Sequence, residues 1–286
     1  MAEITAAVVM KLRKISGQGM MDCKKALVEV DGDIDLALEI LRKKGLATMV
    51  KRAGRDTTEG RIVMRKTDDG KTVAMTMLCC ETDFASKSDD FIEVAGKLAD
   101  AGMICEADNG ESIADVEIDG KTMATIVTEL VSKTGEKTEI GDFSRYTVSG
   151  VGAIGAYVHF NNKMGALVEI EASSEEVAAA VASVAIDAAM HVTAVNPVGV
   201  DRDTLDPEVV AKERAEATES VKDKPAQIIE KIVEGKMNKF FGEQCVVDQP
   251  FVKDDSVTVG QAISAAAKTA GGEAKIKRFA RFVIGS

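Results

Sequence analysis

Apolar residues at helical spacing predict three short helices at the start of the chain. In the first, apolar positions recur every three to four residues between residues 4 and 15, and the glycine-containing residues 16–19 end it. A second helix is predicted over residues 21–30 and a third over residues 33–44, where Gly45 follows two lysines as a stop signal. Three helices of this size form a small module near the lower limit for an independent core.

The apolar pattern then changes to one typical of β-strands. Two such runs, residues 61–66 and 72–82, are joined by residues 67–70, whose Asp-Gly pair favours a hairpin turn. Ser88 is suited to cap the helix that follows. A further helix is predicted over residues 122–132.

The same order of hairpin, short loop and helix recurs in the next part of the chain. Strand-type residues 156–160 and 166–172 flank a turn, and Ser173 with Glu176 has the spacing of a capping box at the start of a helix. We therefore predict two related α+β subdomains between residue 56 and about residue 195.

A change in composition near residue 206 predicts an inserted helical hairpin. Asp206 and Pro207 form a good pair for a helix start, and the helix they begin is heavily charged. Pro225 breaks it, and an apolar helix over residues 226–241 follows, with Gly242 as its predicted end. We expect the two helices to project as an antiparallel pair and the remaining residues to complete the second subdomain.

Composition is that of an ordinary globular protein. The chain has 286 residues, 45% hydrophobic and 29% charged, enough for about two domains with buried cores. It contains no run of about 18 uncharged apolar residues and no signal peptide pattern, so we expect a cytoplasmic protein without a membrane span. A net charge of −11, no Trp and only two Tyr disfavour direct binding of nucleic acid.

The reactive side chains do not suggest an enzyme. Five cysteines without Cys-x-x-Cys spacing indicate reduced thiols rather than a disulfide framework or a zinc ribbon. The two histidines, His159 and His191, lie in separate segments and offer little for a metal site or a Cys/His pair. No segment combines a nucleophile, a base and an orienting group, so we predict no catalytic residue, metal or cofactor.

One nucleotide-binding pattern gives an alternative function. Gly150, Gly152 and Gly155 match GxGxxG and would fit an enzyme with a nucleotide cofactor if Gly155 opened a helix facing pyrophosphate. Residues 157–160 have strand character instead. Strand bending or a close backbone approach is therefore the favoured interpretation.

Two short segments are candidates for contact with another protein. Phe84 follows Asp83 in a loop between a strand and a helix, where the ring either tucks under the sheet or serves as an aromatic anchor for a partner. Met20 and Met21 are adjacent and cannot both face the same small core, so we expect at least one of them on the surface.

Three segments resemble the bacterial elongation factor Ts family. They are GQGMMDCKKAL from Gly17, Thr82-Asp83-Phe84, and GEQCVVDQPF from Gly242. The family fold implies a class, α+β, and four parts: a ubiquitin-associated-like three-helix module at 1–55, core subdomains at 56–142 and at 143–200 with 242–286, and an inserted coiled-coil hairpin at 201–241.

The resemblance also implies a function and its residues. Family members are guanine nucleotide exchange factors of elongation factor Tu, and Thr82, Asp83, Phe84 and Ala85 match the segment that intrudes near the partner's magnesium site. The other matched contact positions are Met20, Met21 and Lys24 in the N-terminal module and Thr134, Gly135 and His159 in the core. A ubiquitin-type adaptor is a second alternative function, and a second copy of the chain an alternative partner.

Overall fold

A computed structural model describes residues 4–106 and 110–285 of the protein. In chain order, the described helices and strands are α1 (Ala6–Ser16), α2 (Met20–Glu29), α3 (Ile34–Arg52), β1 (Glu59–Lys66), β2 (Thr72–Cys80), α4 (Asp83–Ser86), α5 (Asp89–Ile104), α6 (Gly110–Ala114), β3 (Glu117–Ile118), β4 (Lys121–Thr122), α7 (Met123–Thr134), β5 (Thr138–Thr147), β6 (Gly152–Val158), β7 (Met164–Ala172), α8 (Glu175–Val195), α9 (Pro207–Glu219), α10 (Ala226–Gln244), β8 (Pro250–Phe251), β9 (Asp254–Thr258), α11 (Val259–Thr269) and β10 (Ala274–Val283). Helices together with antiparallel sheets confirm the α+β class.

Two three-stranded antiparallel sheets have the same topology. The first has the strand order β1-β2-β5 and the second the order β6-β7-β10. In each sheet a hairpin supplies one outer strand and the central strand, and a strand from beyond the following helices pairs with the other edge of the central strand. This shared topology agrees with the prediction of two related units.

The two sheets pack face to face and carry helices on their outer faces. Met75 on β2, Leu167 on β7 and Phe282 on β10 share a buried cluster between the sheets. Leu78 on the other face of β2 packs in a cluster with residues of α5 and α7, and Val168 on the other face of β7 packs with residues of α8 and α11. Because strand side chains alternate between the two faces, the core is layered as helix, sheet, sheet and helix.

Strand β5 is not predicted from the sequence, and it crosses the predicted subdomain boundary at residue 142. Ile140 and Phe143 pack on the same core although they lie three residues apart, because the register with β2 shifts between Thr76 and Leu78. This bulge interrupts the alternation that marks a strand in sequence. A boundary at residue 142 would cut β5, which pairs with β2 as far as Thr147, so the first sheet extends beyond that predicted boundary.

The first three helices pack around their own small core, which includes Leu12 and Leu27. The predicted end of the third helix at Gly45 is wrong, because α3 continues to Arg52. Gly45 faces α7, where an added Cβ would lie 2.7 Å from the Thr128 carbonyl oxygen. The glycine therefore allows two helices to approach closely and does not end one.

Helices α9 and α10 pack side by side around Ala217, Val233 and Met237. The predicted end at Gly242 is wrong, since α10 continues to Gln244. There the Gln244 carbonyl oxygen accepts backbone hydrogen bonds from Val198 at 2.9 Å and Gly199 at 3.2 Å. The helix thus ends where the chain of the second core subdomain meets it.

Helix α8 covers β6 and β7 and also packs against α11. Its N-cap is Ser174, whose hydroxyl accepts a hydrogen bond from the Val177 N–H at 3.3 Å, so the predicted capping box of Ser173 and Glu176 is wrong. Within the described ranges, α8 alone is long and apolar enough to cross a membrane, and half of its most apolar stretch is buried inside the protein. That burial is expected of a core helix.

Candidate functional site

Phe84 lies on a one-turn helix that exposes its ring to solvent. Thr82 caps this helix, α4, by accepting a hydrogen bond at its hydroxyl from the Ala85 N–H at 3.3 Å. The next residues, Ala85 and Ser86, are buried, whereas Phe84 is 83% exposed. Of the two sequence interpretations of Phe84, the structure therefore favours the exposed ring over the ring tucked under the sheet.

The Thr82 hydroxyl also fixes the loop to the end of another helix. It donates to the Glu136 carboxylate, with distances of 3.0 Å to Oε1 and 2.9 Å to Oε2. The Cys80 thiol donates to the Thr82 carbonyl oxygen at 3.2 Å. Since the hydroxyl donates and accepts at once, the backbone that carries Phe84 is held from both sides.

Glu81 is the most strongly held side chain of this loop. Its carboxylate accepts hydrogen bonds from Arg52 Nη1 at 2.7 and 2.9 Å, from Arg55 Nη1 at 2.9 Å and from the Lys137 N–H at 2.6 Å. Burial alone would raise the pKa of the Glu81 carboxyl, but these donors lower that pKa to about 2. Neither Glu81 nor Glu136 is predicted as a site residue from the sequence, because a lone acid in a loop offers no signal of such a role.

Thr134 and Gly135 lie beside the same loop. Gly135 ends α7 in the left-handed conformation at φ 72°, and the Thr134 hydroxyl accepts a hydrogen bond from the Glu136 N–H at 3.3 Å. Glu136 in turn holds Thr82. The structure thus brings two separate candidate positions, Thr134-Gly135 and the Phe84 loop, into one connected region.

Asp83 is the remaining member of the segment and stays at the surface. It forms an ion pair with Lys87 one turn later, at 2.7 Å. The hydrogen bond from Lys87 lowers the pKa of the Asp83 carboxyl. Both side chains are open to solvent, so this pair is weak and can exchange for other contacts.

Met20 and Met21 lie apart from this loop, on the first turn of α2. Both are exposed, Met21 more so than Met20, which agrees with the expectation that they cannot share the small core. Lys24, one turn further along α2, is exposed as well. Helix α3 connects this module to the Phe84 loop, because Arg52 in its last turn donates a hydrogen bond to Glu81.

His159 lies in the tight turn between β6 and β7. Its Nδ1 is 2.9 Å from the Tyr157 hydroxyl oxygen, and its ring centroid is 4.4 Å from that of Phe160. Phe160 is 87% exposed and is not among the site residues predicted from the sequence. A phenylalanine next to an Asn-Asn turn was the available signal, because such a turn offers an aromatic ring no core to enter.

The turn that carries His159 is attached to β1, the strand that also borders the Phe84 loop. The Ile62 N–H donates to the Asn162 carbonyl oxygen at 2.8 Å, and Lys163 Nζ lies 2.7 Å from Glu59 Oε1. Glu59 pairs with Cys80 across the first sheet, two residues before Thr82. Both exposed rings, Phe84 and Phe160, are therefore carried by segments packed against β1.

Comparison with known proteins decides the family. The family model described as elongation factor TS matches residues 81–286, which is more than half of the chain. The chain belongs to the elongation factor Ts family. The elongation factor Ts of Alkalilimnicola ehrlichii is 40% identical over 284 residues, covering 99% of this chain and 92% of the relative. Those of Trichlorobacter lovleyi and Amoebophilus asiaticus are 40% and 39% identical, each over 99% of this chain and over 93% and 99% of the relative.

In this member of the elongation factor Ts family, the GxGxxG pattern leads into a strand and not into the start of a helix. The last two glycines lie inside β6, and no helix begins there. A Cβ on Gly155 would lie 1.8 Å from the Ala185 carbonyl oxygen, so this glycine lets α8 pack directly on the strand. The pattern therefore serves packing, and the alternative of an enzyme with a nucleotide cofactor is not supported.

The remaining reactive groups are acidic side chains, histidines and thiols. Within residues 4–106 and 110–285, no group of three or more His, Cys, Asp or Glu side chains is arranged to hold a metal ion. All five cysteines are buried, and burial raises the pKa of the Cys79 and Cys80 thiols to about 12. Thiols with such pKa values stay protonated and are poor nucleophiles at neutral pH.

Proposed function

We propose that this protein is a guanine nucleotide exchange factor for elongation factor Tu during translation elongation. The observation that supports the proposal most is Phe84, an exposed aromatic ring on a short helix whose backbone is held by Thr82, Glu81 and Glu136. A ring on a rigid support can enter a partner without losing much conformational freedom, which favours binding. Membership of the elongation factor Ts family supplies the partner.

The mechanism is thermodynamic linkage. If the protein binds elongation factor Tu more tightly without nucleotide than with it, the affinity of elongation factor Tu for the nucleotide falls by the same factor when this protein is bound. Each tenfold of this coupling corresponds to about 1.4 kcal/mol. We propose that Thr82, Asp83, Phe84 and Ala85 approach the magnesium and phosphate site of the partner, with the Phe84 ring as the wedge.

The protein itself makes and breaks no bond in this mechanism. It needs no catalytic acid or base and no resident cofactor, because the binding energy of the two proteins drives nucleotide release. We therefore propose a non-enzymatic exchange factor. The ubiquitin-type adaptor has no support in the family comparison and leaves the two sheets without a role.

The parts of the molecule have distinct roles in this proposal. Residues 1–55 are a ubiquitin-associated-like docking module that places Met20, Met21 and Lys24 on the partner. The core subdomains, at 56–147 and at 148–200 with 245–286, present Phe84, Thr134, Gly135 and His159. Residues 201–244, α9 and α10 included, form an antiparallel coiled coil; a second copy of the chain stays the alternative partner for this arm. We propose a cytoplasmic protein that contacts neither membrane nor nucleic acid directly.

Measured affinities test the proposal. Linkage requires that saturating GDP with magnesium lower the affinity of this protein for elongation factor Tu by the same factor by which this protein lowers the affinity for GDP. Calorimetric titration of this protein into elongation factor Tu with and without GDP gives the first factor. Titration of GDP into elongation factor Tu with and without this protein gives the second. We expect both to exceed about 100, or about 2.7 kcal/mol. Equal affinity for the two forms of the partner would contradict exchange activity.

A further inference from the structure

Side-chain contacts continue the pairing of β2 with β5 beyond the end of the two strands. The last backbone pair joins Cys80 to Thr138. In the same antiparallel register the next residues are Glu81 and Lys137, and the Lys137 N–H donates to Glu81 Oε1 at 2.6 Å. A carboxylate oxygen thus replaces the backbone carbonyl oxygen that a strand would offer at this position.

Glu136 makes the second contact of this series. Its carboxylate accepts a hydrogen bond from the Thr82 hydroxyl, at 3.0 Å to Oε1 and 2.9 Å to Oε2. The same hydroxyl accepts a hydrogen bond from the Ala85 N–H at 3.3 Å, so its orientation is set on both sides. Thr82 is the N-cap of α4, which carries Phe84. Glu136 therefore acts on the turn that carries the ring without being part of it.

The backbone of Glu136 is itself fixed to the end of α7. Its N–H donates to Thr134 Oγ1 at 3.3 Å, and the Thr134 hydroxyl donates to the Leu130 carbonyl oxygen at 3.0 Å. The Gly135 N–H donates to the Val131 carbonyl oxygen at 2.8 Å. Leu130 and Val131 are buried in the core, so the Glu136 carboxylate is an acceptor on a rigid support.

Helix α7 supports the N-terminal module as well. Ser132 Oγ donates to the Leu41 carbonyl oxygen of α3 at 3.0 Å, and Gly45 of α3 lies against the backbone of Thr128. One helix therefore holds the module along its last turns and holds the Phe84 loop just beyond its last residue. Its geometry sets the distance between the two surfaces that are proposed to meet the partner.

We propose that Glu136 is a positioning residue for nucleotide exchange, which holds the Thr82 hydroxyl and thereby presents the Phe84 ring to the GTPase in a fixed orientation. This rests on the proposed function, because the ring acts on elongation factor Tu. Without Glu136 the Thr82 side chain loses its acceptor, and the cap of α4 is weaker. The loop must then be ordered as the ring enters the partner, at a cost in conformational entropy.

Three substitutions at Glu136 separate reach from charge. Glu136→Ala removes the acceptor, Glu136→Asp keeps the charge but draws it back from Thr82, and Glu136→Gln keeps an acceptor oxygen at the same reach without the charge. Glu129→Ala is the matched control, because Glu129 also lies on α7 and its carboxylate pairs with the exposed Lys121 at 2.6 Å. Release of a fluorescent GDP analogue from elongation factor Tu is measured over a range of concentrations of each variant.

These curves give a maximal release rate and a half-saturating concentration. We expect Glu136→Ala and Glu136→Asp to lower the maximal rate about tenfold and to change the half-saturating concentration less than about twofold. The reason is that the maximal rate reports the step inside the complex, whereas the half-saturating concentration reports docking. Glu136→Gln should keep at least about half of the maximal rate, and Glu129→Ala should stay within about twofold in both quantities.

A role in folding alone gives a different result. Loss of folded protein raises the half-saturating concentration and leaves the maximal rate unchanged, because enough folded protein is present at saturation. An unchanged maximal rate in both Glu136→Ala and Glu136→Asp would overturn the proposal. Equal losses in Glu136→Ala and Glu136→Gln would also overturn it, since the charge and not the position of the acceptor would then matter.

A double-mutant cycle tests whether Glu136 acts through Thr82. Thr82→Ala removes the hydroxyl that Glu136 holds. If the proposal is correct, the double variant releases nucleotide no more slowly than Thr82→Ala alone. Losses that multiply in the double variant would contradict action through Thr82.

Hydrogen exchange of the Ala85 amide shows the loop directly. This N–H donates to the Thr82 hydroxyl, so it should exchange faster in free Glu136→Ala than in the free unmodified protein. Glu129→Ala should leave its exchange unchanged. An Ala85 amide that exchanges equally in Glu136→Ala and the unmodified protein would show that Glu136 does not order the loop.

Nucleotide release also separates this proposal from the proposed function. If the unmodified protein speeds GDP release and Phe84→Ala slows it, while Glu136→Ala and Glu136→Asp keep the full maximal rate, the exchange function stands and the positioning role falls. If the unmodified protein fails to speed release, the proposed function fails, and the positioning role fails with it.

Discussion

Glu81 and Arg52 join the N-terminal module to the loop that carries Phe84. Arg52 Nη1 lies 2.7 and 2.9 Å from the two carboxylate oxygens of Glu81, and Arg52 is the last residue of α3. Glu81 immediately precedes Thr82, the N-cap of α4. The first three helices and the loop with the exposed ring are therefore connected through the Glu81 carboxylate, which also pairs with Arg55 at 2.9 Å.

We expect Glu81→Gln to destabilise the protein by about 2 kcal/mol at pH 7, because a partly buried Arg52 loses its charged acceptor. The folded pKa of Glu81 is about 2 and its ordinary value is 4.5. Since the folded pKa is depressed, the stabilisation is complete above the ordinary value and is lost as pH falls toward 2. Urea unfolding at pH 7, 4 and 3 should show the difference between the two proteins shrinking.

Glu175→Gln is the matched control for this change. Its carboxylate pairs with Lys71 at 3.2 Å, but both side chains are largely exposed. We expect a loss of less than about 0.5 kcal/mol. A difference between Glu81→Gln and the unmodified protein that stays constant with pH would contradict the assignment of the Glu81 pKa.

Gly155→Ala tests the role of the GxGxxG pattern. The new methyl group would overlap the Ala185 carbonyl oxygen, 1.8 Å away, so we expect a loss of more than about 3 kcal/mol in the free energy of unfolding. Gly235→Ala lies on α10 with no heavy atom within 4 Å of the added Cβ, and there we expect a gain of about 0.5 to 1 kcal/mol. Equal effects of the two substitutions would show that β6 and α8 are not in close contact.

His191 makes stability depend on pH near neutrality. Its ring is completely buried, its Nε2 lies 2.9 Å from Gln249 Oε1, and its Nδ1 accepts a hydrogen bond from the Val252 N–H at 3.3 Å. Burial lowers the pKa of His191, against the opposite effect of the Gln249 hydrogen bond. A neutral ring is favoured in the folded state, so this contribution to stability is complete above pH 6.5 and falls as pH drops below that value.

Titration of the His191 ring by NMR checks this directly. We expect its Cε1–H signal to keep the neutral chemical shift at pH 6.5 and the melting temperature to fall between pH 6.5 and 5. A midpoint at or above pH 6.5 would contradict the buried neutral ring.

The sequence predicts the order of elements well and the close approaches between them poorly. Gly45 and Gly242 have the pattern of helix ends, yet both lie inside helices. The α7 backbone lies close to Gly45, and a single sequence does not show which helix will lie opposite a glycine. Strand β5 is not predicted from the sequence for a related reason, because its bulge against β2 forms only when the strands pair.

The candidate site likewise has one residue that the sequence identifies and others that only the structure reveals. Phe84 is identifiable from its motif, but only the structure shows that Ala85 packs into the core while the Phe84 ring is exposed. Glu81 contacts Arg52, which lies 29 positions away in the chain, and Glu136 contacts Thr82, which lies 54 positions away. Contacts at such separations depend on the tertiary fold, so residues of this kind become visible only in the structure.

The central claim is that the exposed Phe84 ring loosens the hold of elongation factor Tu on guanine nucleotide. Stopped-flow release of a fluorescent GDP analogue from elongation factor Tu, with this protein present in substoichiometric amount, tests it most directly. We predict fast release with the unmodified protein and release at least tenfold slower with Phe84→Ala, at an unchanged melting temperature. Equal release rates for the two proteins would contradict the account.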